Sequence, residues 1–395
     1  MTMAGTRRLT VLALTAVMAA AACSSGSSPS AAQSAAPSTA AASAAPSTAA
    51  ASAAPSTAAA SAAPSTAAAA STTKVASVGG GPHPFFTPWE QGTADAVKDF
   101  GLVGGVYKFP PQWELTAQNN MVETLVAQGY NAFNIFPGDA NGTNALLDEL
   151  KKKSIPSISA GGCTSEPSPA AFCLATDVYN SAYIGTKALI AAMGDKCTVA
   201  KPCQIVHIAS RLVDPNTQAR IKAVDTAVGE TGGKVKVLQH LTDSDDQENA
   251  TKKISAILAS NGAQIDGMIS VAYVGSSVAA TLLTNLGDKR IKFIGIDDDP
   301  ALLQAIKDGF AVGTMSQNPY GQAYLGSYVN DLLRRGCTVK AGSPFLVDTG
   351  TFLITSDGAN VGDVPSVKIA DYQAKRVEIV KALVASFKDK YLTCP

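Results

Sequence analysis

The chain has 395 residues, and its 31 Lys plus Arg balance its 31 Asp plus Glu, so the formal charge is zero. The basic residues are scattered rather than clustered, which argues against a phosphate-tracking surface and against a nucleic-acid or strongly acidic partner. The length exceeds what one hydrophobic core supports, so two folded domains are expected.

The N-terminus reads as a targeting segment rather than as fold. Arg7 and Arg8 precede the apolar run Leu9 to Ala22, whose 14 residues fall short of the roughly 20 that span a bilayer. The run ends Ala20-Ala21-Ala22-Cys23. Small residues directly before a cysteine resemble a bacterial lipoprotein signal, although its usual leading Leu is replaced by Ala20. That resemblance implies residues 1–23 as signal, with Cys23 lipidated and the membrane reached through the anchor alone. Residues 24–73 repeat SAAPSTAAA with period nine from Ser34, Ser43, Ser52 and Ser61. Pro37, Pro46, Pro55 and Pro64 interrupt any alanine helix. So little apolar surface cannot offset chain entropy, and a disordered tether is expected.

From Lys74 on, short apolar runs alternate with amphipathic stretches. Strands are expected at 74–78, 130–136, 156–159, 204–209, 234–239, 267–271, 291–296 and 310–315. Between them, Met121, Leu125 and Val126 share one helical face, as do Ile254, Ile257 and Leu258. Helices are expected to stop at Gly129, Gly262, Gly309 and Gly336. This alternation predicts an α/β fold with parallel sheets and helices on both faces. Six cysteines follow Cys23, an even count that suits disulfides in an exported chain. Many connectivities are open; local spacing favours Cys163–Cys173 and Cys197–Cys203, leaving Cys337–Cys394. A metal site is disfavoured, because no CxxC occurs and His83, His207 and His240 are dispersed.

In open α/β sheets, ligands bind beyond the carboxyl ends of the strands. After the first strand comes GGGPHPFFTPWEQG. Thr87-Pro88-Trp89-Glu90 has the form of a capping box, which places Phe85 and Phe86 just before a helix and Trp89 in its first turn. Flat rings at such a cleft stack on the C–H face of a sugar or a similar ligand; one ring plugging the core is the plain alternative. After later strands stand Gly161-Gly162, Arg211, Arg220, Asp246, Tyr273, Asp297 and Gln317. A carboxylate and a guanidinium bind hydroxyls strongly, though each residue alone could be a cap or a surface pair.

HPFF before a helix, the arginine of QARIKAV, GIDDDPALLQAIKDG and TMSQNPYGQAYLG, in that order, resemble the ribose-type solute-binding proteins of bacterial ABC importers, the type I periplasmic binding proteins. The resemblance spans Lys74 to Thr355. It implies two Rossmann-like lobes, 74–177 plus 318–348 and 178–317 plus 349–395, joined by three hinge crossings around the ligand. It puts ligand contacts on His83, Phe85, Phe86, Arg220, Asp297 and Gln317, with Asp246 and Tyr273 less firmly matched and Trp89 added from the residue reading. It also implies a small sugar or polyol ligand, an ABC permease partner, a monomer and no cofactor. A receptor feeding a membrane signalling kinase would share the same fold and pocket. Ribose-type members carry Asp-Arg where this chain has Gly161-Gly162. The ligand is then larger or less hydroxylated, or is held by Trp89, Arg211 or the Cys163–Cys173 loop. Enzyme motifs such as G-x-S-x-G, HExxH and the P-loop are absent from the sequence; Asp297 and Asp246 as a hydrolytic carboxylate pair is the remaining catalytic reading. A LacI-type repressor would carry a helix-turn-helix where the signal and tether stand.

Overall fold

The computed structural model describes residues 70–395, except Val213. The expected signal, the lipidated Cys23 and the tether as far as residue 69 lie outside the described residues. The tether reading runs slightly too far. The hydroxyls of Ser71 and Thr73 both donate to Asp331 Oδ1, and Thr73 is buried, so the fold begins before Lys74.

The first lobe opens with β1 (Lys74–Val78), α1 (Thr87–Phe100), β2 (Gly104–Lys108), α2 (Leu115–Ala127), β3 (Ala132–Ile135), α3 (Gly142–Lys152), β4 (Ser157–Ala160) and β5 (Cys173–Ala175). The chain then builds the second lobe from α4 (Val178–Met193), β6 (Cys203–Ile208), α5 (Pro215–Gly229), β7 (Val235–Leu241), α6 (Gln247–Asn261), β8 (Ile265–Ser270), α7 (Tyr273–Leu286), β9 (Lys292–Ile296), α8 (Pro300–Lys307) and β10 (Gly313–Ser316). It returns to the first through α9 (Pro319–Arg334), β11 (Thr338–Val339) and β12 (Leu346–Asp348), and re-enters the second with β13 (Phe352–Thr355) and β14 (Ser366–Lys368). It ends in α10 (Tyr372–Tyr391) and β15 (Leu392–Thr393).

The first sheet has strand order β12-β5-β4-β3-β1-β2 and is parallel throughout; the second has order β14-β13-β10-β9-β8-β6-β7, with β13 antiparallel to β10. The inner strands β1, β3, β4, β8, β9 and β10 are buried along almost their whole length, as parallel strands covered on both faces must be, while the edge strands β2 and β7 are partly exposed. β1 is VASV after its first Lys, with all four residues buried. The expected amphipathic faces pack inward: Leu125 of α2 and Ile254 and Ile257 of α6 are buried.

One expectation about lobe membership is corrected. Residues 349–395 do not all join the second lobe. β13 and β14 extend its sheet, but Val380 and Phe387 of α10 lie in the first lobe's core with Phe172, Leu174 and Val329. β15 pairs antiparallel with β11, so the chain crosses between the lobes a fourth time, between Lys368 and Tyr372. All three expected disulfides are present: Cys163–Cys173, Cys197–Cys203 and Cys337–Cys394. The last fastens the C-terminal segment to the end of α9.

Candidate functional site

The loop after β1 is not built as a capping box. Pro84–Phe86 form a single 3-10 turn, and Thr87 already has helical angles, so it does not cap α1. The cap belongs to His83, whose Nδ1 accepts from the Phe85 backbone N–H at 3.1 Å. A ring accepting at Nδ1 carries its proton at Nε2. Burial holds the His83 pKa below its usual value, opposed by the charge of Asp245.

The three aromatic residues of this loop divide by depth. Trp89 is fully buried and Phe86 is 1 % exposed, whereas Phe85 is half-buried. The expectation that Phe86 and Trp89 present rings to a ligand is therefore corrected: they are the layer beneath. Phe86 meets Trp89 and Phe136 edge-on at 5.1 and 5.0 Å. The indole Nε1–H of Trp89 donates to Gln322 Oε1 on α9 at 3.3 Å. The exposed ring belongs to a residue the sequence reading passed over, Trp113, which is 41 % exposed on the loop after β2. Its indole lies on the glycine run. A Cβ on Gly80 or Gly81 would come within 2.5 or 2.7 Å of the Trp113 ring. The glycines thus let a second aromatic side chain lie flat against the backbone, and Trp113 then stands edge-on to His83 and Phe136 at 6.2 and 5.9 Å.

Gly161-Gly162 has a packing reason. Gly161 has φ +73°, and a Cβ there would meet Gln322 Oε1 at 3.1 Å, Phe136 at 3.2 Å and Trp89 at 3.3 Å. A side chain at position 161 would crowd Phe136, Trp89 and Gln322 and need a left-handed backbone, whereas a Cβ on Gly162 would meet only Phe136 at 3.3 Å and Pro137 at 3.6 Å.

The second lobe supplies the charged side. Asp297 is 4 % exposed and adopts φ +68°, a left-handed conformation rare for a non-glycine residue and characteristic of functional sites. Its N–H donates to Met315 O, its carbonyl accepts from Thr314 Oγ1, and its Oδ1 accepts from Gln317 Nε2 at 2.9 Å. Burial raises its pKa to about 6, and Asp298 adds to the rise, against the Gln317 hydrogen bond and the charges of Arg220 and Arg376. Arg220, on α5, is partly exposed; its Nε is buried and no hydrogen bond engages it. Asp214, Asp297 and Asp245 hold its charge against burial. Tyr273 begins α7 and faces His83 edge-on with ring centroids 5.4 Å apart, a contact between the lobes. Burial, then the carboxylates of the 297–299 loop, raise its phenol pKa.

Asp246 does not join this group. It is exposed, and its carboxylate caps α6 by accepting from the Asn249 N–H at 2.9 Å. Its neighbour Asp245 is the carboxylate whose charge reaches both His83 and Arg220, and it accepts from the Arg211 N–H at 3.0 Å. The Asp297–Asp246 carboxylate pair is thereby removed. Arg211 itself is exposed at the rim. A separate surface groove between α2 and α3, bordered by Asn119, Glu123 and Glu149, contains none of these residues.

The hinge lies behind this seam. Asn318 caps α9 through Oδ1, while its Nδ2 donates to Thr349 O and Arg376 O, both at 3.0 Å. Asp348 Oδ1 accepts from the Gly350 and Asp177 N–H groups at 2.9 and 3.3 Å. Gln317 therefore sits where the crossings are stapled together. Among the described residues no cluster of metal-ligating side chains occurs. The first lobe thus contributes an aromatic layer that reaches the second lobe through His83 and Tyr273, and the second lobe a buried carboxylate, an amide and an unpaired guanidinium nitrogen.

The comparisons with known proteins concern the fold and the family. A xylitol-binding protein from Mycolicibacterium smegmatis is 25 % identical over 248 residues, covering 63 % of this chain and 68 % of the relative. A solved solute-binding protein from Burkholderia graminis, in complex with D-arabinose, matches with TM-score 0.61 at 19 % identity, over 73 % of this chain and 97 % of that one. Another, from Actinobacillus succinogenes with bound D-allose, matches with TM-score 0.64 at 17 % identity, over 72 % and 98 %. The family model for the periplasmic binding protein domain matches residues 74–336, and with two parallel-sheet lobes around the Asp297–Gln317 seam the chain belongs to that family.

Proposed function

We propose that the chain is an extracytoplasmic solute-binding protein. It captures a sugar or polyol between its lobes and delivers it to an ABC permease, as a monomer held to the membrane by a lipid on Cys23. No described helix is long and apolar enough to cross a membrane, which is consistent with attachment through the N-terminus. The ligand class is supported by the xylitol-binding relative, and D-arabinose and D-allose are bound by proteins of the same fold. The observation that carries the reading is the Nε of Arg220, buried and without a partner beside the Asp297–Gln317 pair. A buried donor left unpaired is unfavourable by about 1–3 kcal/mol, and a ligand hydroxyl would satisfy it. Closure is then selected by contacts that only the two lobes together provide.

The test is isothermal titration of the full chain with xylitol, D-arabinose and D-allose, repeated for Arg220→Ala and Asp297→Ala. Saturable binding of at least one ligand, lost or strongly weakened in both variants, is expected. Unchanged affinity in both variants would refute this site, and absence of binding across a wider sugar and polyol panel would refute the ligand class.

A further inference from the structure

The family match ends at residue 336, before α10. That helix belongs to the first lobe by its packing: Val380 and Phe387 lie in its core, and Cys337–Cys394 fastens its far end. Its first turns nevertheless reach the second lobe. Arg376, 1 % exposed, donates from Nη1 to Asp298 Oδ2 at 2.7 Å and from Nε to Ser316 Oγ at 3.0 Å. Tyr372 donates its hydroxyl to the same Asp298 oxygen at 3.2 Å, and its ring lies 5.0 Å from the guanidinium.

The two residues gripped are significant by their neighbours. Asp298 follows Asp297, and Ser316 precedes Gln317. Ser316 Oγ in turn donates to the Gln317 carbonyl at 2.8 Å. One guanidinium therefore holds the side chains of the residues adjoining both Asp297 and Gln317, and the Arg376 carbonyl accepts from Asn318 at the crossing itself. Two directed bonds from a planar fork fix orientation as well as distance. The left-handed Asp297 needs such support from its surroundings.

We propose that Arg376 is a positioning residue. It clasps the ligand loop of the second lobe to a helix of the first, so that breaking the Arg376–Asp298 pair loosens the 297–299 loop and lets the lobes open. The inference rests on the reading of Asp297 as a ligand contact, but the clasp itself is present without ligand. Opening then requires the pair to part or α10 to follow the second lobe, and the disulfide opposes the latter.

The test uses the full chain with Arg376→Gln, Asp298→Asn, the double variant and Arg376→Lys. Amide hydrogen exchange and small-angle scattering are read without ligand, then titration with xylitol, D-arabinose and D-allose. Each single neutralisation should speed exchange at 297–299 about tenfold and enlarge the radius of gyration, with exchange in β8 unchanged. The double variant should do no more than the larger single, because both remove one interaction. Arg376→Lys, which keeps the charge but not the fork, should fall between. Affinity for whichever ligand binds the parent should drop about fivefold. Should Arg376→Gln fail to fold, Asp298→Asn carries the test, since that carboxylate is partly exposed. Parent-like exchange and scattering in Asp298→Asn, or additive effects in the double, would overturn the clasp. A parent that binds none of the three ligands counts against the proposed ligand class alone, because exchange and scattering still decide the clasp.

Discussion

Gln317 Nε2 donates to Asp297 Oδ1 at 2.9 Å, and the two side chains are only 5 % and 4 % exposed. The amide comes from the crossing between β10 and α9 and the carboxylate from the end of β9, so the pair joins the crossing to the proposed ligand loop. The carboxylate is also unfavourable where it stands, because burial has lifted its pKa from 3.8 to about 6. The folded state therefore binds this proton more tightly than the unfolded chain. The destabilisation is absent below about pH 4, grows through the window up to 6, and is complete above it. Asp297→Asn keeps an acceptor for Gln317 and removes the charge. At pH 7.5 it should raise unfolding stability by up to about 3 kcal/mol, a gain that shrinks towards zero at pH 4. Denaturant titrations at the two pH values measure this. The same variant should bind ligand at least about tenfold more weakly, because a charged acceptor is replaced by a neutral one. Parent affinity should itself decline below pH 6. A variant that is neither stabler nor weaker would show that Asp297 is structural.

Trp113 and Trp89 are the chain's two tryptophans, one at the cleft rim and one sealed beneath it. Ligand-dependent fluorescence should therefore report on Trp113. Trp113→Ala should abolish the signal and reduce affinity by up to about tenfold, in line with the roughly 0.5–1.5 kcal/mol of a good ring contact. Trp113→Phe should abolish the signal but keep most of the affinity. A signal that survives in Trp113→Phe would place the ligand elsewhere.

What the sequence revealed of this region follows from where its signals lie. Arg220, Asp297 and Gln317 sit in locally recognisable strings after apolar strands, and the fold brings the three near one another. Trp113 escaped because β2 escaped: GGVYK has two glycines and a half-exposed pattern, which no apolar run announces. Phe86 and Trp89 were assigned to the wrong depth, since adjacency in sequence cannot say which ring covers which. Asp246 and Asp245 are one residue apart, and only the start of α6 decides which is consumed as a cap. The return of α10 to the first lobe is a long-range event, fixed by Val380, Phe387 and Cys394 against residues distant in sequence.

Gly161 has a packing reason to be glycine where the resemblance implies a charged pair. Its φ of +73° and the contacts of 3.1–3.3 Å that a Cβ would make with Gln322, Phe136 and Trp89 make any side chain there strained and crowded. Gly161→Asp should destabilise the fold by about 1–3 kcal/mol through the strained conformation alone, with crowding in addition, and should not improve sugar binding. Thermal unfolding and titration read the two effects. A stable variant with tighter binding would mean that the aromatic layer can retreat.

His207 makes the acid limb of the stability curve testable. It is fully buried in β6, its Nδ1 lies 2.9 Å from His240 Nδ1, and its Nε2 has no partner. Burial, then the neighbouring His240 and Arg220, lowers its pKa to about 3 from 6.5. Above pH 6.5 neither state is protonated, and the group contributes no pH dependence. Between 6.5 and 3 the unfolded chain takes up a proton that the folded chain refuses, so stability falls as pH falls. At pH 4.5 the loss from this residue should reach about 3 kcal/mol. His207→Gln cannot titrate, and it should lose correspondingly less stability between pH 7.5 and 4.5 than the parent, whatever its starting value. Denaturant midpoints with unchanged slopes at both pH values give the comparison. Equal acid losses in parent and variant would mean that the His207–His240 pair accommodates its proton inside the fold, with Asp225, 3.3 Å from His240 Nε2, as the counter-charge.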